Sequence, residues 1–300
     1  MSMKKKKKKK DFSAILLVLI FFVGLSVLLY PTISDYVNSR TQSRAISSYN
    51  SVVEQMDETD YETELEKARE YNDTLWEPFP LFYAPYLAKG YDEALNVTGN
   101  GIMGYLDIDK LNLELPIYHG TSDEVLNRAV GHLEGSSLPV GGENTHCVLS
   151  AHRGLPSASL FSDLDELEVG DTFRITVLNQ VLTYEVDQIK IVVPQDVDDL
   201  QIIEGGDYCT LMTCTPYGIN THRLLVRGKR ISETVSQPRL FVTADAYRIN
   251  TFAVMVVLAV PMVLILLIAL IISGSRRKKK QKPERFAPEP EESETTGQKD

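Results

Sequence analysis

Cys214 is the residue of this chain best placed to do chemistry. It closes the apolar run Thr210-Leu-Met-Thr-Cys and stands just before Thr-Pro-Tyr-Gly. Such a run reads as a strand, and a strand end is a rigid mount that still opens to solvent. Nine residues on comes Arg223, in Asn220-Thr-His-Arg-Leu-Leu-Val. A hairpin folded at residues 217–219 brings Arg223 beside Cys214, where a guanidinium favours thiolate and can donate to an oxyanion. His152, in Val148-Leu-Ser-Ala-His-Arg-Gly-Leu-Pro, ends another apolar strand at a turn. A Cys–His pair activates a thiol and then protonates a leaving amine. Spacing alone leaves a blander reading open, a buried strand cysteine with a surface arginine.

The other histidines and cysteines read as structural. His222 adjoins Arg223, so on a strand it points to the opposite face. His119, His132 and His146 lie near turns or strand starts. Cys209 falls five residues before Cys214, on the opposite face of a regular strand, and with Cys147 it reads as core. Three cysteines are an odd count, so at least one thiol is unpaired. CxxC and zinc-finger Cys/His spacings are missing from the sequence, and we expect no metal or cofactor.

The elements that must hold these residues follow from periodicity. Residues 43–75 read as helix: Ile46, Tyr49, Val53 and Met56 recur at three- and four-residue spacing, as do Leu65, Ala68, Tyr71 and Leu75. Thr59-x-x-Glu62 has the form of a capping box, which predicts two helices with a break near Asp60. Pro78 and Pro80 end the helical pattern. From Gly101 the pattern becomes strand. Leu111, Leu113, Leu115 and Ile117 alternate with other residues, 172–178 and 181–193 are rich in β-branched types, and 208–214 with 223–231 read as a further strand pair. Asn179-Gln180 reads as a hairpin turn. Seven or eight short strands with little helix between them predict a sandwich or a closed barrel.

Two blocks, 12–30 and 252–272, are apolar and uncharged. At about 1.5 Å per residue each reaches roughly 30 Å, a bilayer's hydrocarbon thickness. Lys4 to Lys10 precede the first, and Arg276, Arg277, Lys278, Lys279 and Lys280 follow the second. Basic flanks stay inside, which puts both termini in the cytoplasm and the middle outside. That middle, residues 31–250, carries 16 Lys and Arg against 34 Asp and Glu, which argues against a nucleic-acid partner. The first block exits as Ser26-Val-Leu-Leu-Tyr-Pro-Thr, without a small-x-small site, and reads as an uncleaved anchor. The tail beyond Lys280, rich in Pro and Glu, reads as disordered.

The segment Thr210-Leu-Met-Thr-Cys-Thr-Pro-Tyr-Gly-Ile-Asn-Thr-His-Arg-Leu-Leu-Val-Arg-Gly resembles the signature of sortases, in particular the class C, pilin-polymerising kind. Leu115-Pro-Ile-Tyr-His-Gly-Thr, Gly131-His-Leu-Glu-Gly-Ser-Ser-Leu-Pro-Val-Gly-Gly and Ala151-His-Arg-Gly-Leu-Pro carry the same resemblance over roughly 101–231. It implies a mainly β fold, a closed barrel of about eight strands with short helices, and a Cys/His/Arg site at Cys214, His152 and Arg223. It also implies a lid before the barrel, in which an Asp-Pro-aromatic motif sets its acid on the catalytic arginine and its ring on the cysteine. This chain has Trp76-Glu77-Pro78-Phe79 there, with Glu77 in place of Asp.

The expected organisation is a basic N-terminus (1–11), a signal anchor (12–30), a helical segment (31–75) and a lid with its connection (76–100). A catalytic barrel (101–235), a linker (236–251), a second span (252–272) and a cytoplasmic tail (273–300) follow. The resemblance implies a cysteine transpeptidase that cleaves a Leu-Pro-x-Thr-Gly-like sorting signal between Thr and Gly. The acceptor would be a lysine amine of a pilin. The alternatives are a peptidoglycan amine as acceptor, a hydrolase using water, and a non-catalytic pilus scaffold or binding module.

Overall fold

The computed structural model describes residues 12–75, 89–231, 260, 261 and 263. The second apolar block lies outside the described residues apart from Val260, Pro261 and Val263, which belong to a separate unit, 239–300.

The first element is longer than its periodic stretch predicts. α1 runs unbroken from Phe12–Val53, so the apolar block and the first amphipathic helix are one rod of about 63 Å. Among the described residues it is the one helix long and apolar enough to cross a membrane, and its apolar window is unburied. Past Pro31 its character changes. Asp35, Asn38, Gln42, Ile46, Tyr49 and Val53 recur at helical spacing as its less exposed stripe. Ile46, Tyr49 and Val53 join the main core. Tyr49 is fully buried; its hydroxyl donates to Met103 O at 3.1 Å and accepts from Leu178 N–H at 2.7 Å.

α2 (Glu58–Thr74) follows, and its break falls slightly earlier than expected. The N-cap is Asp57, in a capping box with Asp60, rather than Thr59 with Glu62. A carboxylate at each position accepts from the other's backbone N–H, so Asp57/Asp60 satisfies the same orphan donors. The predicted stripe Leu65, Ala68, Tyr71 and Leu75 is buried.

Eight strands then close a barrel: β1 (Ile102–Ile108), β2 (Leu113–His119), β3 (Val130–His132), β4 (Thr145–Ser150), β5 (Thr172–Val177), β6 (Gln180–Val192), β7 (Asp207–Thr215) and β8 (His222–Arg230). Their order around the barrel is β1-β2-β3-β4-β7-β8-β6-β5. The sandwich alternative is thereby excluded. The β5–β6 turn is shifted by one residue from expectation: Gln180 pairs with Val177, so Leu178 and Asn179 make the turn, with Leu178 at φ 50°. The β1–β5 seam completes the closure and depends on Gly104, where a Cβ would overlap Thr176 O and Val177 Cγ2.

Strand alternation sorts two apolar layers. Cys147, Leu149, Cys209, Leu211, Leu224 and Val226 fill the main core. Val148, Leu225 and Leu200 form a smaller cluster with Met212, Val192, Val197 and Leu133. Odd and even neighbours on a strand face opposite sides, so this second layer lies on the barrel's outer face. Leu200, from the β6–β7 connection, packs on it.

His146 fastens that connection to the barrel. Its ring nitrogens reach Gln201 O and Thr210 Oγ1, each at 2.8 Å, and burial lowers its pKa to about 4. An unfolded histidine titrates near 6.5, so folding excludes a proton between these values. The contribution is intact above pH 6.5 and is lost as pH falls through about 4, amounting to ~3 kcal/mol at up to ~1.4 kcal/mol per pH unit. Denaturant unfolding between pH 7 and 4 should therefore lose stability more steeply in wild type than in His146→Gln. Parallel pH curves would remove His146 from the acid response.

Candidate active site

Register, rather than proximity in sequence, assembles the site. In the β7–β8 hairpin Cys214 lies directly opposite Arg223, and directly opposed residues share a face. Met212 opposite Leu225 is the preceding pair on that face. β4 runs parallel to β7, its last pair being Ser150 with Met212. The contact continues one step, through Ala151 N–H to Met212 O at 3.2 Å and Thr213 Oγ1 to Ala151 O at 2.8 Å. Two residues past Ser150, His152 comes level with Cys214 by register count. The three predicted residues thus converge at one end of the outer face, and each is half-buried.

The residues read as structural fall where expected. Cys147 and Cys209 are paired side by side in the core, and all three thiols are unbridged. Burial pushes the Cys209 thiol up and keeps it protonated. His119 spans Gly101 O and Ala94 O, at 2.9 Å each. His132 is fully buried, with its Nδ1 on Tyr91 Oη at 2.9 Å and its Nε2 on Ser137 O at 2.8 Å. His222 contacts Thr221 Oγ1 at 2.9 Å and accepts, through its carbonyl, from Arg223 Nη1 at 3.2 Å.

Arg153 is the residue that sequence reasoning missed. It follows His152, and its side chain is only 9% exposed. Nε donates to Ser162 O at 3.0 Å, Nη1 lies 3.4 Å from Thr215 Oγ1, and Nη2 pairs with Asp165 at 2.5 Å. Its guanidinium carbon also lies 5.8 Å from the Tyr217 ring centroid. One planar group thus links the neighbour of His152 to the neighbour of Cys214. Gly154 completes the contact: at φ 76°, a Cβ there would meet Tyr217 Cζ at 3.0 Å. The signal was present in the sequence as an arginine beside a candidate base, but its partners are split between its own β4–β5 connection and the end of β7 with the turn beyond it.

The proposed lid residues Trp76, Glu77, Pro78 and Phe79 lie outside the described residues. The chain on either side of 76–88 is firmly held. Asn72 exchanges hydrogen bonds with Leu138, giving at 3.2 Å and receiving at 2.7 Å, and Tyr71 Oη accepts from Gly135 N–H. Beyond the segment, Tyr91 Oη lies 2.9 Å from His132 Nδ1 and 3.1 Å from His132 O. Both flanks therefore fasten to residues 132–138. A cavity of about 230 Å³ lies between them, lined by Lys67, Glu70, Lys89 and Glu93 among others, apart from the Cys214–Arg223 pair.

Comparison with known proteins bears on the barrel as a whole. A sortase domain matches residues 106–231. Among curated proteins, sortase D of Bacillus subtilis is 36% identical over 132 residues, covering 43% of this chain and 64% of that protein. Sortase A of Streptococcus agalactiae is 28% identical over 51% of this chain and 60% of its own length. The chain thus spans less than two thirds of either relative. Coverage of solved structures is nearly complete. Sortase C1 of Streptococcus agalactiae is 51% identical, with TM-score 0.58, over 63% of this chain and 99% of that one. Sortase C of Streptococcus pneumoniae is 47% identical, with TM-score 0.59, over 65% of this chain and 100% of that one. So extended a match, running end to end through solved sortases of class C, means that this chain belongs to the sortase family.

Proposed function

We propose that this protein is a membrane-anchored cysteine transpeptidase that cleaves a Leu-Pro-x-Thr-Gly-like sorting signal between Thr and Gly and joins the Thr to a pilin lysine. The observation that carries this reading is the opposition of Cys214 and Arg223 across β7 and β8, with His152 level with them. The Cys214 thiolate attacks the Thr carbonyl, and Arg223 donates to the oxyanion that forms. Collapse breaks the Thr–Gly C–N bond as protonated His152 gives its proton to the departing amine. A lysine amine then attacks the thioester, neutral His152 takes its proton, and Cys214 leaves as thiolate.

The choice of a pilin acceptor has a separate support, the class C neighbours, of which the Streptococcus pneumoniae structure is described in terms of pilin substrate specificity. The membrane assignment draws on α1, and the exterior placement of the barrel draws on the basic flanks. A second span over 252–272 with both termini inside belongs to the same proposal. Arg153 enters as a positioning residue: it holds the loops after His152 and Cys214 at a set separation, and a misplacement of about 1 Å can cost on the order of 10²-fold in rate. Glu77 and Phe79 are proposed to cover the site, with the acid on Arg223 and the ring on Cys214.

Intact mass of the 31–250 segment mixed with a Leu-Pro-x-Thr-Gly peptide tests the core of this reading. Wild type or Phe79→Ala should gain an adduct ending at the peptide's Thr, and Cys214→Ala should gain none. Arg223→Lys should slow adduct formation about 100-fold, because lysine lacks the planar fork. An adduct on Cys214→Ala, or none on any protein that carries Cys214, would reject the mechanism. Supplying a lysine peptide, a peptidoglycan amine or water alone then separates polymerisation, wall anchoring and hydrolysis by product.

The lid has its own readout. Glu77→Ala and Phe79→Ala should each speed modification of Cys214 by a small thiol reagent several-fold, and unchanged rates would count against a cover. For Arg153, the Arg153→Ala variant should lose on the order of 10- to 100-fold in kcat with KM within about 3-fold, and Arg153→Lys should recover part of it. Wild-type kcat in Arg153→Ala would leave its contacts purely structural.

A further inference from the structure

The barrel-facing stripe of α1 has an unusual upper and lower half. Ile46, Tyr49 and Val53 bury apolar surface as an amphipathic helix should. Asp35, Asn38 and Gln42 continue the same stripe toward the apolar span, yet all three are polar. Each is bonded to the barrel domain. Gln42 Nε2 donates to Arg128 O at 2.7 Å. Asn38 Nδ2 donates to Ser157 O at 2.6 Å. Asp35 Oδ1 accepts twice from Ser159, from its N–H at 2.8 Å and its hydroxyl at 3.0 Å.

Ser157 and Ser159 belong to the loop that leaves His152. That loop is closed at its neck by Phe161 N–H donating to His152 O at 3.1 Å, and internally by the Leu155–Ala158 bridge. Its neck is therefore His152 and its tip rests on α1. Arg153 fixes one side of the neck. The tip is fixed by a carboxylate and an amide from an element far away in sequence. Charge-assisted bonds such as those from Ser159 to Asp35 are about twice as strong as neutral ones.

We infer that Asp35 and Asn38 are positioning residues: the helix that carries the apolar span braces the His152 loop, so that the anchor and the catalytic base form one mechanical unit. α1 is unbroken between the two roles. From Tyr30, where the apolar block ends, to Asp35 and Asn38 is about 8 to 12 Å along the helix axis. The loop is thus held close to the level at which the chain would leave a bilayer. The inference rests on His152 being the acid–base group of the proposed transpeptidase, and it adds that a fragment lacking this part of α1 holds His152 less well.

The test uses the full chain in phosphatidylcholine/phosphatidylglycerol vesicles or nanodiscs, comparing wild type, Asp35→Ala with Asn38→Ala, and Asp35→Asn. Asparagine keeps an Oδ1 acceptor for both Ser159 donors. The first readout is the NMR signal of the His152 imidazole in histidine-labelled protein, assigned by its loss in His152→Gln. The second is transpeptidation kinetics with a sorting-signal peptide. The expected result for the double variant is a broadened or shifted His152 signal and a kcat about 10-fold lower, with KM within about 3-fold. Asp35→Asn, which keeps the acceptor but not the charge, should fall between wild type and the double variant in both. Both contacts are at the half-exposed edge of the helix, and the buried Tyr49 contacts remain to hold the fold. An unchanged His152 signal, or a moved signal with wild-type kcat, overturns the inference. A wild type that acylates no sorting peptide while its His152 signal still responds to the double variant supports the brace and overturns the transpeptidase reading instead.

Discussion

The site depends first on the parity of β7. Cys209, Leu211 and Thr213 face the core, while Thr210, Met212 and Cys214 face out, so a slip of one residue would exchange the two sets. Both neighbours hold the parity. Parallel β4 sets Cys147 beside Cys209 and Leu149 beside Leu211; antiparallel β8 sets Val226 opposite Leu211. Leu149, Leu211 and Val226 are fully buried, and exposing each costs about 1.5–3 kcal/mol. Three such losses approach the whole stability of a typical domain, about 5–15 kcal/mol. Core packing on one face of the strand therefore fixes the chemistry on the other.

That constraint stops at the strand ends. His152 lies two residues past β4, Cys214 one residue before the end of β7, and the ladder cannot set the angle of the chain beyond. The described structure meets this need with buried or half-buried polar ties: Thr213 Oγ1 to Ala151 O, the Arg153 fork to Ser162 O and Asp165, and His152 O to Phe161 N–H. The same device holds the flanks of 76–88, where Asn72 and Tyr91 fasten to residues 132–138. Such ties carry specificity because a buried polar group left without its partner costs about 1–3 kcal/mol. A hydrophobic contact tolerates sliding, whereas a two-way amide bond such as Asn72 to Leu138 does not.

What the sequence made legible follows the same division. Strand positions and the Cys214–Arg223 opposition could be read because period-two alternation and a Pro/Gly turn state them locally. The helical stripes of α1 and α2 were legible for the same reason. The α2 cap was misplaced by two residues because Asp57/Asp60 and Thr59/Glu62 offer the same capping chemistry at overlapping positions. The continuity of α1 was missed because Pro31 and a change from apolar to polar residues look like a boundary, whereas the backbone runs through. Arg153 and the Asp35–Ser159 contact join residues 9 to 124 positions apart, and no local pattern announces such pairs. The Trp76 to Phe79 motif was read by resemblance, and it falls where the structure is not described.

Two arginines lie near Cys214, and their bonding differs. Arg153 has Nε, Nη1 and Nη2 all engaged by protein groups, with Tyr217 near its face. A fork so committed can hold loops but has little left to offer a substrate. Arg223 is half-buried, and among the described residues its side-chain hydrogen bond is the single one to His222 O. Planar guanidinium carries five N–H donors, so most of the Arg223 fork remains for a carboxylate or an oxyanion. Those two ligands want the same donors. In the proposed function, a lid acid at Glu77 and the developing oxyanion at the scissile carbonyl therefore compete for Arg223. In that proposal the cover would have to leave before the arginine could act, and the extra methylene of Glu relative to Asp would cost the cover the rotamer freedom it gives up.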